Sequence, residues 1–403
     1  MITAPPAETS RSHQQSSLLG ALGAKGFRPF FLAAAGFAAL ILPVWLLTLS
    51  GAIAPSRYMD AVTWHAHEMI FGFTVAVIAG FLLTAVANWT GKETIVGRPL
   101  LAVCGLWIAG RVAMAFAGEL PRGVPALVDL AFLPLLAAAI ARPLAATRNR
   151  RNFVMVAILA ALWLANLAVH LDALDVLPDV RRRATLFALD VVVLLVVVIS
   201  GRVIPMFTKN ATLATTVRSL PGLDKAAIVA MAATALVGVA SNDPRVGGVA
   251  AAITAVLVAA RAITWGAERT AKHPLLWILH AGHAWIVVGL LLRAAAVLTT
   301  MVPMSAANHA LTVGAIGALT LGMMTRVSLG HTGRLLASTT AMTLSFAFLS
   351  LAALVRVFVP ILDMTSYRPS LFVSGGLWTA AFVVFAVVCA PILTAPRVDG
   401  KPG

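Results

Sequence analysis

Two histidines and a glutamate stand together at the start of an apolar stretch, in the sequence TWHAHEMIFGF at residues 63–73. On a regular helix His65 and Glu68 share a face, whereas His67 projects to nearly the opposite side. The three groups cannot all reach one ion, so they need two roles. Imidazole suits iron and copper, and we expect at least one histidine to ligate a metal. The alternative is that all three lie in the wet interface and only snorkel or cap.

Two further positions carry histidines in apolar surroundings. The sequence LHAGHAW at 279–285 places His280 and His283 on one helical face, three residues apart. This spacing predicts a shared copper or a second haem, or alternatively a buried, hydrogen-bonded pair between helices. His309 opens another apolar segment and is a candidate ligand. Four histidines lie in loops or at segment ends and receive no role: His13, His170, His273 and His331.

Charged residues inside the apolar segments are a second source of chemistry, because each is costly in a bilayer. Arg111, Arg293 and Arg356 fall near one end of their segments. Each could pair with Glu68 or with an anionic group such as a haem propionate, since the guanidinium fork suits carboxylates. The alternative is snorkelling to the interface. Asp190 could serve in proton transfer or in a structural hydrogen bond.

The elements that carry these residues are membrane spans. Of the 403 residues, 60% are hydrophobic and 11% are charged, against about 25% charged residues in soluble domains. A bilayer-spanning helix needs roughly 20 apolar residues. The sequence predicts an all-α polytopic membrane protein of about twelve transmembrane helices, at about 28–49, 61–88, 98–117, 124–141, 152–171, 184–206, 225–241, 246–266, 273–298, 307–327, 338–359 and 371–394.

The chain reads as one bundle with short tails. Residues 1–25 are polar, lack the apolar core of a cleavable signal peptide, and are expected to be a disordered cytoplasmic tail. Residues 26–396 form a single transmembrane helical bundle, and 397–403 form a second cytoplasmic tail. Both cysteines, Cys104 and Cys389, lie in apolar runs, which indicates neither a disulfide framework nor a thiolate metal site.

The net charge of +15 is explained by membrane orientation. Cytoplasmic loops of membrane proteins carry an excess of lysine and arginine. The distribution of basic residues among the loops favours both termini inside, with the Arg181–Arg183 run as the main contrary feature. The charge excess therefore implies no nucleic-acid partner.

The second and tenth segments resemble each other. A gapless alignment that matches His67 with His309 also matches Gly72 with Gly314, and a weaker third echo starts at Gly201. This pattern predicts pseudo-threefold, four-helix repeats that start near segments two, six and ten. In such a fold His67 and His309 lie at one depth near the outer surface. Two facing imidazoles are the geometry of a haem ligated from both sides, so we predict this pair as axial ligands.

Several motifs together resemble the NnrS family: GFRPFFL at 26–32, WHAHEMIFGF at 64–73, GRVIPMFTKNA at 201–211, LHAGHAWIVVGLLLR at 279–293 and NHALTVGAIGALTLGMMTRVSLGHTGR at 308–334. The resemblance implies a bacterial cytoplasmic-membrane protein of about twelve helices that contains haem and copper and is associated with the nitric-oxide response. It does not assign each ligand to iron or to copper. The metal-site set that it implies is His65, His67, His280, His283 and His309, supported by Glu68, with Arg111 and Arg293 beside the cofactor.

The predicted architecture is similar to that of haem–copper oxidase subunit I and its nitric-oxide-reductase relatives, which hold a low-spin haem between the second and tenth helices. Segments six and seven here carry no histidine, so the copper or non-haem-iron triad of that superfamily is absent. The only tyrosines are Tyr58 and Tyr367, and neither is helically spaced from a candidate ligand. Oxygen reduction with a crosslinked tyrosine is therefore not expected.

These observations favour a haem- and copper-binding inner-membrane protein of nitric-oxide metabolism or nitrosative-stress tolerance. It would bind nitric oxide, or pass electrons from a donor, at a histidine-ligated metal near the periplasmic face. The sequence leaves open whether nitric oxide is only bound or is turned over by a nitric-oxide-related oxidoreductase. Two alternatives stay open as well: a proton-coupled secondary transporter that uses the same histidine and glutamate cluster, and a metal-free sensor or assembly factor for denitrification enzymes.

Overall fold

The described part of the protein is a bundle that contains twelve helices long and apolar enough to cross a membrane. The computed structural model describes residues 18–299 and 302–401, and no strand occurs in that part of the chain. The helices are α1 (Phe27–Leu49), α2 (Ala61–Thr90), α3 (Arg98–Ala115), α4 (Gly123–Ala146), α5 (Arg150–Ala173), α6 (Arg181–Thr212), α7 (Pro221–Ala240), α8 (Pro244–Ala262), α9 (Pro274–Leu298), α10 (Met304–Gly330), α11 (Thr340–Leu362) and α12 (Met364–Leu393). The predicted fold class is confirmed.

Two of the described spans contain a π-helix. In α2 the α-helix Ala61–His67 passes into a π-helix at Glu68–Thr74 before the α-helix resumes at Val75. In α10 the π-helix Ala310–Gly317 follows directly after His309. A π-helical turn changes the direction in which the side chains on either side of it point, and such turns are frequent at functional sites. Each lies immediately after a histidine that the sequence analysis selected.

Local sequence explains where the spans begin and end. The side chain of Asp60 caps α2 by accepting hydrogen bonds from the backbone N–H groups of Val62 (3.1 Å) and Thr63 (3.0 Å). Gly91, with φ 66°, ends the same helix in the left-handed conformation. Three other spans, α7, α8 and α9, begin with a proline, whose fixed φ suits the first helical turn.

The helices α2, α6 and α10 form the inner part of the bundle. Over their most apolar windows 89%, 61% and 67% of the residues are buried inside the protein, whereas only 22% are buried in α7. Outer helices leave an apolar face for lipid. The inner trio comprises the spans at which the predicted repeats start, although the repeat arrangement itself stays a prediction.

Several predicted segments differ from the structure by a few residues at their ends, and the sixth and fourth segments show the physical reasons. The sixth segment continues to Thr212 because Pro205 is tolerated inside the long helix. The fourth segment, predicted at 124–141, extends to Ala146 and is interrupted at Ala131 between the helices Gly123–Leu130 and Phe132–Ala146. Pro134 thus falls in the first turn of the second piece, where its missing N–H costs no helical hydrogen bond.

The chain ends pack against the bundle where they are described. Of the predicted first tail, residues 1–17 lie outside the described residues, and Leu18–Leu22 form a short helix whose Ala21 is buried. At the other end, Arg397 donates a hydrogen bond to the carbonyl of His331 (2.9 Å), and the backbone N–H of Val398 donates to the carbonyl of Thr332 (3.1 Å).

Candidate functional site

A buried polar network surrounds His67, whose side chain is almost inaccessible. Its Nδ1 lies 2.9 Å from Oε1 of Glu68, and its Nε2 lies 2.9 Å from Oδ1 of Asn166. The amide of Asn166 is oriented by its own donation from Nδ2 to Oδ2 of Asp129 (2.6 Å). Both partners of the ring are therefore acceptors. The ring of His67 is therefore held from both sides by polar groups of the network.

Arg111 completes the charge balance of this network. Its Nη1 donates to Oε1 of Glu68 (2.6 Å), and its Nη2 contacts Oδ1 of Asp129. The guanidinium of Arg111 thus meets two carboxylates, and the ring of His67 forms a further hydrogen bond with one of them. Buried charges are tolerated when they are paired and hydrogen-bonded, and the pairing explains how α2, α3 and α4 accommodate these groups inside the bundle.

His170 joins the network from α5. Its Nε2 donates to Oδ2 of Asp129 (3.1 Å), and its Nδ1 accepts a hydrogen bond from the hydroxyl of Tyr58 (2.9 Å). Tyr58 lies in the loop before α2, where burial raises its pKa to about 12 against the opposing effect of Arg122. Ligand atoms of His67, Asp129 and His170 all lie within 4.8 Å of one another, a grouping that could hold a metal ion.

The sequence analysis gave no role to three members of this network: Asp129, Asn166 and His170. His170 was given no role because it falls at a segment end, yet it is completely buried. Asn166, also buried, was not considered. The sequence did contain a signal for these residues. Asn166 and His170 are four residues apart, which places both on one face of α5, and Asp129 is an acid inside an apolar segment.

A second candidate site is a cavity of about 250 Å³ between α1, α2, α6, α10, α11 and α12. We call it the histidine cavity, because His65 and His309 both line it; Met69 and Arg356 are also in its wall. The ring of His65 stacks on Trp45, with centroids 4.1 Å apart and an interplanar angle of 23°. The stacking holds the imidazole plane against one wall of the cavity.

Several polar atoms at this cavity lack a protein partner. Nδ1 of His309 donates to the carbonyl of Ser305 (2.6 Å), which leaves the Nε2 lone pair available for another ligand. Among the described residues no hydrogen-bond partner reaches Nδ1 of His65, Oδ1 of Asn308 or Nη1 of Arg356, although all three atoms are buried. Buried polar atoms are normally paired, so the cavity offers unused donors and acceptors to an occupant.

The predicted pairing of His67 with His309 needs correction. His65 shares the cavity with His309, while both ring nitrogens of His67 are engaged by Glu68 and Asn166 on the other side of α2. Residues two apart on a helix project to nearly opposite sides. Glu68 also lies with His67 and not with His65, because the π-helix begins at Glu68 and redirects its side chain.

The two arginines predicted beside the cofactor are engaged elsewhere. Arg111 pairs with Glu68 and Asp129 as described, and Nη1 of Arg293 donates to Oδ1 of Asp190 (2.5 Å). Asp190 therefore has a structural ion pair between α6 and α9. Arg356 is the arginine that lines the histidine cavity.

His280 and His283 do not converge on a common point. Nε2 of His280 lies 2.9 Å from Oγ1 of Thr208 on α6, whereas Nε2 of His283 donates to the carbonyl of Val258 on α8 (3.3 Å). The ring of His283 also packs against Trp265, with centroids 4.5 Å apart. The interpretation as a pair that shares one metal is thus corrected, because each imidazole is directed to a different neighbouring helix.

Comparison with known families identifies the chain. The family model described as NnrS protein matches residues 21–397. The chain belongs to the NnrS family. No curated protein matches it. The match spans all twelve helices of this NnrS protein, from the residues just before α1 to those just after α12.

This NnrS protein is therefore a multi-pass membrane protein with two separate candidate centres. The His67–Asp129–His170 group could hold a metal ion, but its ring nitrogens and carboxylates already have protein partners. The histidine cavity has imidazoles with unused nitrogen atoms. An ion in the first centre would have to displace protons, whereas an occupant of the second would not.

Proposed function

We propose that this NnrS protein holds a redox metal, as haem iron or copper, between His65 and His309, and that nitric oxide binds or electrons pass there. The observation that carries the proposal is that both imidazoles line one cavity, with Nε2 of His309 left free by the hydrogen bond from its Nδ1 to Ser305. The centre would lie near the periplasmic face of the bacterial cytoplasmic membrane.

The donor set around the cavity fits such a metal. Two neutral imidazoles suit iron and copper, and the thioether of Met69 on the same wall suits copper in its reduced state. The unpaired Nη1 of Arg356 would favour an anionic group on the occupant, such as a haem carboxylate. A copper ion, or a haem iron held by only one of the two histidines, would leave a coordination position for nitric oxide, whereas a haem iron held by both would favour electron transfer.

The protein's own residues position and shield the site. Ser305 fixes the tautomer and orientation of His309, and Trp45 fixes the plane of His65. Apolar side chains such as Leu42, Ile70 and Leu189 form much of the remaining wall. A site with apolar walls strengthens electrostatic interactions inside it and limits access of water.

The test is metal content in histidine variants of the purified protein, after expression with ample haem and copper. His65→Ala and His309→Ala should each lose the metal, measured by optical and EPR spectra and by elemental analysis, and lose the spectral change on adding nitric oxide. His273→Ala, which removes an exposed histidine, is the matched control and should keep both. Loss of the haem spectrum would identify iron at this site, and loss of copper alone would identify copper.

The variant His67→Ala distinguishes the histidine cavity from the His67–Asp129–His170 group as the metal site. The ring of His67 takes part in the buried network, so the variant should lose stability while retaining the metal of the histidine cavity. If His65→Ala and His309→Ala keep their full metal content, or if the metal is lost only from His67→Ala, the proposal is wrong.

A further inference from the structure

Three cavities follow one another along the inner helices. The histidine cavity is lined by Ile70 on α2, Leu189 on α6 and Val313 on α10. A middle cavity of about 80 Å³ is bounded further along the same three helices, among others by Val77 and Leu195. From Ile70 to Val77 is seven residues, or about 10 Å along a helix. The two cavities therefore lie at successive depths.

A third cavity, of about 160 Å³, continues the series beyond the middle one. The middle and third cavities have four residues in common: Phe81, Ile199, Val203 and Met323. They are direct neighbours. Because α2, α6 and α10 are all even-numbered spans, they cross the membrane in the same direction, and the three cavities form a column along their common axis.

The described side chains around the middle cavity are almost all apolar, and its two hydroxyl groups already have protein partners. Its two hydroxyl-bearing wall residues are Ser200 and Thr320. Ser200 Oγ donates to the carbonyl of Val197 (3.3 Å) and accepts from Nη2 of Arg261 (2.9 Å). Thr320 Oγ1 donates to the carbonyl of Gly317 (3.0 Å). A buried water needs two to four polar partners, whereas dry apolar cavities bind apolar molecules such as xenon.

We infer that the middle cavity binds a small, uncharged, apolar molecule of the size of a diatomic gas, and that the column between α2, α6 and α10 leads this ligand to the histidine cavity. An apolar molecule dissolves in the bilayer core, so a dry site between the helices can receive it at mid-membrane. The identity of the natural ligand as nitric oxide rests on the proposed function. The existence of the site does not.

Xenon tests the binding site directly. In xenon NMR of the purified full-length protein, the wild type should show a bound-xenon exchange contribution, and Val196→Phe, which fills the cavity from its α6 wall, should abolish it. Val383→Phe makes the same change on the exposed face of α12 and should leave it intact. Absence of bound xenon in the wild type, or its persistence in Val196→Phe, would overturn the inference. If Val196→Phe does not fold, the wild-type measurement alone still shows whether the protein binds xenon.

Stopped-flow mixing with nitric oxide tests the route. Val196→Phe should slow binding at the metal by about tenfold, equivalent to roughly 1.4 kcal/mol in the barrier, with metal content unchanged, while Val383→Phe should bind at the wild-type rate. If xenon binds but the rate is unchanged, the route is wrong. If xenon binds and the protein contains no metal, the proposed function fails while the apolar site stands.

Discussion

Asp129 is the residue on which the buried network depends. Its carboxylate contacts Arg111, accepts hydrogen bonds from Asn166 and His170, and lies 3.4 Å from Nε2 of His67. Removing one partner of a buried ion pair leaves an uncompensated charge in a low-dielectric interior. The network should therefore be sensitive to the loss of a single negative charge.

We expect Asp129→Asn to destabilise the protein by about 3–5 kcal/mol, because the buried guanidinium of Arg111 would keep one carboxylate partner in place of two. The measurement is thermal or denaturant unfolding of the detergent-purified protein. Asp175→Asn is the matched control, since Asp175 forms an exposed pair with Arg122 (2.6 Å), and exposed pairs contribute about 0–1 kcal/mol. Equal stability of the two variants would contradict this description of the network.

At the scale of elements, the π-helices of α2 and α10 occupy matching positions. In the gapless alignment of His67 with His309, the π-helix that starts at Glu68 coincides with the one that starts at Ala310. The aligned histidines nevertheless face different surroundings, and His65 is the residue that lines the cavity with His309. Similar local backbone therefore does not make the two histidines equivalent.

Gly314, on the π-helix of α10, permits a close approach of α9. A Cβ added there would lie 2.5 Å from two ring atoms of Trp285. We predict that Gly314→Ala costs about 1–3 kcal/mol of stability, the usual penalty for overpacking. The rigid indole cannot yield without shifting the helix, so the change should also perturb the metal bound beside His309.

Gly376 on α12 provides the control for this change, because a Cβ there would meet no atom within 4 Å. Gly376→Ala should be neutral or stabilising by up to about 1 kcal/mol, since alanine favours the helix. Unfolding of both variants in detergent is the measurement. A Gly314→Ala protein as stable as Gly376→Ala would show that α9 and α10 are not in close contact at this point.

At the scale of the whole molecule, α2, α6 and α10 form a buried centre, and the other spans surround it. The orientation of this bundle in the membrane stays a prediction from the distribution of basic residues. With both termini in the cytoplasm, the loop between α2 and α3 faces the cytoplasm and the loop between α3 and α4 faces the periplasm.

Cysteine labelling in intact cells tests this orientation. Cys104 and Cys389 are buried and would be replaced to give a cysteine-free background. Lys92→Cys and Glu119→Cys then place one exposed thiol in each of the two loops. An impermeant maleimide should label Glu119→Cys in intact cells and label Lys92→Cys only after permeabilisation. The opposite pattern would invert the topology and put the histidine cavity at the cytoplasmic side.

The sequence alone was sufficient for the membrane class, the number of spans and most of their bounds. These properties follow from the local apolar content of each segment, because transfer of a helix into a bilayer depends on its own side chains. The same reasoning selected His65, His67, Glu68 and His309, since ionisable groups in a bilayer are rare and costly.

The tertiary structure decided which of these groups meet. His67 is surrounded by Asp129, Asn166 and His170 from α4 and α5, while His65 and His309 line one cavity. Each residue along a helix turns the side chain by about 100°, and the π-turns add a further rotation. The partner of a side chain therefore depends on how helices distant in sequence are rotated and packed, which no local pattern of residues contains.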